Sequence, residues 1–213
     1  MALSVICFLD NDIILKLSAF DLLDMAIAAL KISPENLRVL EEAQHVFRKN
    51  RGVLKQYSEV TRKRAIDFVK SCQTVNPVAS PELIVLNQML DVGEAMLLAA
   101  TREVSPFVFM TGDKRCLRTL AMKVELAEVA ERLRGRAICL EQVMLLLIRQ
   151  QGFETIKQYV LPILDGDDCD TSLKACFGSR TQAIEENVVL ALEGYLTALD
   201  KSSIGLLADL SKF

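Results

Sequence analysis

Short apolar runs alternate with amphipathic stretches over the first 150 residues of the chain. Residues 4–9 form a continuous run of strand-forming residues, and a helical repeat of apolar positions follows over 13–26. Apolar runs of this length predict strands that are buried on both faces of a parallel sheet. Similar runs predict strands at 74–78, 106–111 and 136–140. Strands that alternate with helices predict an α/β fold of three layers, α/β/α, around a central parallel sheet.

The segment from Ser33 onward has a helical pattern instead. Ser33 and Pro34 suit an N-cap and a first helical position. Apolar residues then recur at helical spacing up to Phe47, and a second helix is predicted over about 54–71. Residues 33–80 are therefore predicted to be largely helical.

The end of the chain is predicted to be helical as well. We divide the sequence into an α/β domain over 1–150 and a helical C-terminal extension over 151–213. The polar run 165–170 lacks the spacing of a calcium loop and is predicted to be a flexible turn. The last predicted helix carries an apolar stripe that must be covered by the domain or by a second subunit, and its members are Val188, Leu192, Tyr195, Leu196 and Leu199.

The composition of the chain limits its partners and the compartment in which it is expected. A net charge of −3 argues against a general nucleic-acid coat protein but allows an enzyme that touches nucleic acid at one patch. The six cysteines form no C-x-x-C pair, which favours free thiols in a reducing compartment. No apolar run approaches the roughly 18 residues that span a bilayer. The apolar start of the chain has no basic region before it and ends at Asp10, which argues against a signal peptide. We therefore expect a cytoplasmic protein with no membrane partner.

Three carboxylates stand where an α/β sheet binds its ligands. Asp10 follows the first predicted strand, Asp113 follows the strand at 106–111, and Glu94 begins a helix just before that strand. The carboxyl ends of parallel strands meet at one edge of the sheet, so the three side chains are expected to converge. Hard oxygen ligands without histidine favour Mg²⁺ or Mn²⁺ over zinc. Such a metal could activate water for attack on a phosphate.

Three segments together resemble the PIN-domain nucleases. The segment from Phe8 to Leu15 is similar to their opening strand and first acid, the segment Leu90 to Ala99 to their L-D-x-G-E-A helix start, and Phe109 to Asp113 to their strand ending in T-x-D. The resemblance covers about residues 4–150. It implies a parallel five-stranded sheet, metal-dependent cleavage of RNA and frequent homodimerisation, with Asp10, Glu94 and Asp113 as metal ligands.

Basic residues are candidates for contact with nucleic acid. Lys114, Arg115 and Arg118 follow Asp113 closely enough to meet a phosphate backbone. Two further basic runs, at 48–51 and 62–64, could form a nucleic-acid track if they share a face with Asp10.

Two alternatives remain open at the level of sequence. PIN enzymes usually have a further acid between the first and the helix-start acid, and Glu41, Glu42 and Glu59 are candidates that no motif separates. A PIN-like module that binds RNA or protein without catalysis is therefore one alternative. The pair Asp10 and Asp12 also resembles the nucleophile motif of haloacid-dehalogenase-type phosphatases. That family needs Thr or Val at position 14 and Asp at position 117, where this chain has Ile14 and Leu117.

Overall fold

A five-stranded parallel sheet forms the centre of the protein. The computed structural model describes residues 5–77, 79–166, 168–178 and 183–212. The strands lie in the order β3-β2-β1-β4-β5, and every neighbouring pair is parallel. Their bounds are β1 Ile6–Leu9, β2 Leu37–Leu40, β3 Gln73–Val75, β4 Phe107–Thr111 and β5 Ala137–Cys139.

Alternate residues of the strands enter two separate hydrophobic cores. In β1, Cys7 and Leu9 pack into one core, whereas Phe8 packs into the other. In β4, Val108 and Phe109 divide in the same way. Because side chains alternate across a strand, a sheet covered on both faces has continuous apolar strands. The three-layer α/β/α arrangement is thus confirmed.

Helices cover both faces of this sheet. The first core receives α1, α2, α3, α5, α10, α11 and α12, the second receives α6 to α9, and α13 contributes to both. The helices are α1 Asn11–Ala19, α2 Leu23–Ala29, α3 Ala43–Lys49, α4 Arg51–Gln56, α5 Glu59–Val69, α6 Pro81–Asn87, α7 Val92–Ala100, α8 Lys114–Met122, α9 Ala127–Leu133, α10 Leu140–Gln151, α11 Phe153–Val160, α12 Thr171–Phe177 and α13 Glu185–Ser203.

The prediction of a helix from Ser33 to Phe47 was wrong. Residues 34–36 form a single 3₁₀ turn, 37–40 form β2, and only 43–49 are α-helical. Leu37 and Val39 enter one core and Leu40 the other, so this short segment is buried between both helical layers. Pairing with β1 and burial on both faces override the helical spacing, since strand formation depends on tertiary contacts. The strands predicted at 106–111 and 136–140 are confirmed, and the one at 74–78 lies at 73–75.

The C-terminal extension packs against the rest of the chain. Val188, Leu192 and Leu199 are buried, whereas Tyr195 is 39% exposed. After α13 the chain runs beside β5, where Leu207 forms a parallel bridge with Ala137 and Ala208 N donates to Ala137 O at 2.7 Å. Three of the five residues of the predicted apolar stripe are therefore covered within the same chain, Leu196 is partly buried, and Tyr195 is exposed. Among the helices of the described ranges, none has the length and apolarity that a membrane crossing requires.

Candidate functional site

Asp10 and Asp113 lie side by side at the carboxyl end of the sheet. Leu9 pairs with Met110, so the residues after β1 and β4 emerge together. Thr111 joins them: its hydroxyl donates to Asp10 Oδ2 at 3.0 Å and accepts from Asp113 N, also at 3.0 Å. Thr111 is fully buried. The T-x-D sequence therefore fixes the first acid through its threonine and presents the second two residues later.

Glu94 reaches the same place from α7. Asp91 is the N-cap of this helix, and its carboxylate accepts from Glu94 N at 2.9 Å, as N-cap side chains do. A Cβ on Gly93 would stand 3.4 Å from Leu40 Cδ1, at ordinary van der Waals contact, so the start of α7 lies next to β2. Glu94 is only 3% exposed, and its Oε1 has no hydrogen-bond partner. A buried carboxylate oxygen without a partner is costly in a purely structural role.

One cavity brings the predicted acids together. Its volume is about 520 Å³, and Asp10, Glu94 and Asp113 all line it. Asn11, Asp12 and Asp91 line it as well. The convergence that the sequence predicts at this sheet edge is present in the fold.

The same cavity separates the candidates for a fourth acid. Glu42 lines it, at the residue before α3. Glu41 points its carboxylate at Asn76, whose amide donates at 3.1 Å, and Glu59 lies exposed in the first turn of α5. Neither of the latter two lines the cavity. Glu42 is therefore the candidate that the geometry favours.

Burial and mutual repulsion raise the pKa of two of these acids. Burial, followed by the charges of Asp12 and Asp91, raises the pKa of Asp10 to about 7. Burial, followed by the charges of Asp10, Asp91 and Asp113, raises the pKa of Glu94 to about 9. Like charges that share a poorly solvated site shift in this direction. Glu94 therefore holds its proton near neutral pH, and Asp10 is about half protonated there, unless a cation offsets their charge.

Asp113 has its own cationic partner. Arg115 donates to its carboxylate, with Nη2 2.7 Å from Oδ2, and the same carboxylate accepts from Arg115 N at 2.7 Å. Burial raises the pKa of Asp113, but these bonds and the charge of Arg115 outweigh it and leave the pKa below its usual range. Arg115 itself is highly exposed, with 87% of its side chain accessible.

The chemistry of these acids fits a hard divalent cation, but their arrangement does not form a ready coordination site. The site offers carboxylate oxygens, one of them unpartnered on Glu94, and repulsion that a cation would relieve. Across the described ranges, however, no group of three or more His, Cys, Asp or Glu side chains is arranged so that it could hold a metal ion. A cation that takes Asp113 as a ligand would have to displace Arg115.

Lys16 is a residue at this edge that sequence reasoning missed. Its ammonium lies 2.7 Å from Asp12 Oδ2 and 2.9 Å from Asp170 Oδ2, and it donates to Gly112 O at 2.9 Å. The spacing of Asp12 and Lys16 by four residues is a pair that a helix brings together. Nothing in the sequence pairs Lys16 with Asp170, which arrives from the C-terminal extension.

The three predicted nucleic-acid contacts have different surroundings. Lys114 is ion-paired with the buried carboxylate of Glu141 and donates to Ser172 Oγ at 3.0 Å. Its ammonium also lies 5.2 Å from the centre of the Tyr195 ring. Arg115 lines the cavity in its pair with Asp113, and the exposed Arg118 donates to Ser202 Oγ at 3.3 Å. Lys114 is thus engaged within the chain, and of the three residues Arg115 is the one that lines the cavity with the acids.

Comparisons with known proteins add no assignment to this geometry. No family model, no curated protein and no solved structure matches the chain. The motifs and the geometry of the site are therefore the features that bear on function.

Proposed function

We propose that this protein is a metal-dependent ribonuclease that cleaves RNA phosphodiester bonds with a PIN-like cluster of carboxylates. The observation that supports this most is the meeting of Asp10, Glu94 and Asp113 at one cavity, with Glu42 on its wall. The parallel five-stranded sheet agrees with what the resemblance to PIN domains implies. A cavity at the carboxyl ends of the strands is also where open α/β sheets bind ligands.

Each residue has a role in this proposal. Asp10 and Glu94 would hold Mg²⁺ or Mn²⁺ after losing their protons, and Asp113 would join them after releasing Arg115. Thr111 orients Asp10 by its hydrogen bond, and the N-cap bond from Asp91 holds the start of α7 that carries Glu94. The metal, when bound, would supply activated water and stabilise charge on the scissile phosphate. Arg115, once free of Asp113, is placed to pair with a phosphate oxygen.

Metal binding and cleavage can be tested on the whole chain. Mn²⁺ should raise the melting temperature of the wild type, because a ligand that binds only the folded state stabilises it. Mg²⁺ or Mn²⁺ should support cleavage of single-stranded RNA, and EDTA should abolish it. Asp10→Asn should remove both effects while the protein stays folded. If Mn²⁺ neither stabilises the wild type nor supports cleavage, this proposal fails.

A PIN-like module without catalysis is the second candidate, and two observations favour it. Asp113 is already paired with Arg115, and the described acids form no ready metal site. Such a module would bind RNA or a protein partner. It would bind RNA equally well with EDTA and with Mn²⁺ and would leave the RNA intact. A phosphatase of the haloacid-dehalogenase type would instead release phosphate from a small phosphomonoester.

Homodimerisation and a cytoplasmic location belong to the same proposal. The cysteines in the described ranges are all free thiols, and Cys7, Cys116, Cys139 and Cys176 are buried, which suits a reducing compartment. Light scattering at several protein concentrations would detect a dimer. A mass of about 24 kDa throughout would show a monomer.

A further inference from the structure

One wall of the acidic cavity is formed by a helix pair whose outer side is basic. Val46 of α3, Asn50, and Val53 and Gln56 of α4 line the cavity. The same two helices expose four cations that stand outside the lining and that we call the α3–α4 rim. These cations are Arg48, Lys49, Arg51 and Lys55.

The charges of the rim are available. In the structure as described, no carboxylate lies within salt-bridge distance of any of the four cations. The surrounding segment is strongly biased, since residues 43–70 contain eight Lys or Arg and only two Asp or Glu in a chain of net charge −3. Four cations without a salt bridge to any described residue, on the helices that form one wall of the cavity, produce a local positive potential that the net charge conceals. Of the four, Arg48 also interacts electrostatically with Asp67 of α5.

Three cations close to Asp12 and Asp113 are already neutralised. Lys16 is held by Asp12 and Asp170. Lys114 is paired with Glu141, and Arg115 with Asp113. A polyanion that approaches past these residues meets paired charges, apart from the exposed Arg118, which donates to a serine hydroxyl. At the rim it meets four cations that form no salt bridge in the part of the chain that the structure describes.

We infer that the α3–α4 rim binds the phosphodiester backbone of a single-stranded nucleic acid and leads the strand into the acidic cavity. This inference rests on the proposed function and names the surface that its substrate uses. Phosphates cannot bind among the bare carboxylates, so the attraction must come from a neighbouring surface. The scissile phosphate must also reach Glu94, which is 3% exposed. A flexible single strand can bend into such a cavity, and proteins that bind single strands track the backbone with basic grooves.

Paired lysine variants test the rim. Lys49→Ala combined with Lys55→Ala removes two rim charges, and Lys123→Ala combined with Lys201→Ala removes the same two charges from exposed positions away from this cavity. Binding of a fluorescent single-stranded RNA is measured in EDTA, in wild type and in an Asp10→Asn background, so that cleavage does not interfere. All four residues are exposed, and an unchanged melting temperature confirms that each double variant folds.

The rim variant should bind RNA about tenfold more weakly at low salt. Its plot of log affinity against log salt should be shallower by about 1.4, because each phosphate contact of a single strand contributes about 0.7 to the slope. The control variant should match wild type in both. A single-stranded DNA of the same sequence separates two sources of the same chemistry: equal binding indicates backbone contact alone, and preference for RNA adds contact with the 2′-hydroxyl. Both results support the rim.

Three results would overturn the inference. They are no RNA binding by wild type, equal weakening in the rim and control variants, and displacement of RNA by polyglutamate at equal charge concentration, which would indicate an acidic protein partner instead. Cleavage is scored separately with Mn²⁺. Rim-dependent binding without cleavage would refute the nuclease proposal and leave the rim standing. Cleavage that is insensitive to the rim variant would refute the rim alone.

Discussion

Asp10→Asn should make the metal-free protein more stable at neutral pH. The wild-type carboxyl is 5% exposed, and burial together with the charges of Asp12 and Asp91 raises its pKa to about 7. Asparagine keeps the size of the side chain and an oxygen that can accept the hydrogen bond from Thr111. The substitution therefore removes the strained charge and retains the contact.

The size of the gain follows from the shift in pKa. A rise from 3.8 to about 7 at roughly 1.4 kcal/mol per pKa unit sets an upper limit of roughly 4 kcal/mol above pH 7. Water in the cavity and relaxation of Asp12 reduce this limit. We expect a measured gain on the order of 1–2 kcal/mol.

The stability of the wild type should depend on pH in a direction that follows from the raised pKa of Asp10. The folded protein holds the proton on Asp10 up to about pH 7, whereas the unfolded chain releases it near pH 4, so the wild type loses stability as pH rises between these values. The asparagine of the variant has no such proton. The stability difference between variant and wild type should be near zero below pH 4, should grow through this window and should level off above pH 7. The raised pKa of Glu94, about 9, extends the loss to higher pH in both proteins.

Urea unfolding in EDTA at several pH values measures this difference. Asp200→Asn on the exposed surface of α13 is the control, and it should change stability little at any pH. Mn²⁺ should reverse the order by stabilising the wild type more than the variant. An Asp10→Asn variant that is less stable than wild type at pH 8 in EDTA, or a difference that does not grow with pH, would contradict this expectation.

Three further changes test the surroundings of the site. Gly112→Ala should lower the free energy of unfolding by roughly 1–3 kcal/mol, because the added Cβ would clash with Asp12 Oδ2 and lie 2.9 Å from Lys16 Cδ. The control is Gly194→Ala, whose added Cβ meets open space and should not destabilise the protein. Equal effects of the two substitutions in urea unfolding would contradict this. Lys16→Met should lower the free energy of unfolding by roughly 3 kcal/mol near pH 7, since it leaves the charges of Asp12 and Asp170 uncompensated. Lys31→Met at an exposed position is the comparison, and it should change stability little. A loss below about 0.5 kcal/mol for Lys16→Met would mean that its two ion pairs contribute little to stability. A chain that ends after Gln151 should aggregate, because α10 loses the apolar surface of α13 that covers it. A soluble fragment with an unchanged melting temperature would show that the extension is not needed for the stability of the fold.

The strands that sequence could predict are those with continuous apolar residues. The runs before Asp10 and before Thr111 are buried on both faces, and no helical spacing competes with them. In β2 the polar Arg38 interrupts the run, and Leu37 and Leu40 also fit a helix. Only the pairing with β1 decides the outcome, and that pairing joins residues about 30 apart in sequence. The missing strand therefore could not be recovered from local spacing.

The candidate site was predictable to the extent that its acids follow strands or begin a helix. Asp10, Glu94 and Asp113 share these positions, so parallel-sheet topology alone brings them together. Glu42 follows β2 in the same way, and it stayed one of three candidates because β2 itself was interpreted as a helix. An error in one strand thus concealed the candidate position that follows it.

The C-terminal extension is more closely tied to the site than its place in the sequence suggests. Asp170 is both the N-cap of α12, accepting from Ser172 N at 2.9 Å, and a partner of Lys16. Two residues earlier, Asp168 accepts from Ser58 N at 3.0 Å and from Thr61 Oγ1 at 2.6 Å, at the start of α5. Asp168 and Asp170, two residues of the run that the sequence predicts to be a flexible turn, are thus held by contacts, while residue 167 lies outside the described residues. Because Asp170 and Asp12 share one lysine, the extension sets the balance of charge next to Asp10. It also keeps Lys16 neutralised, in contrast to the four rim cations of α3 and α4, which form no salt bridge within the described ranges.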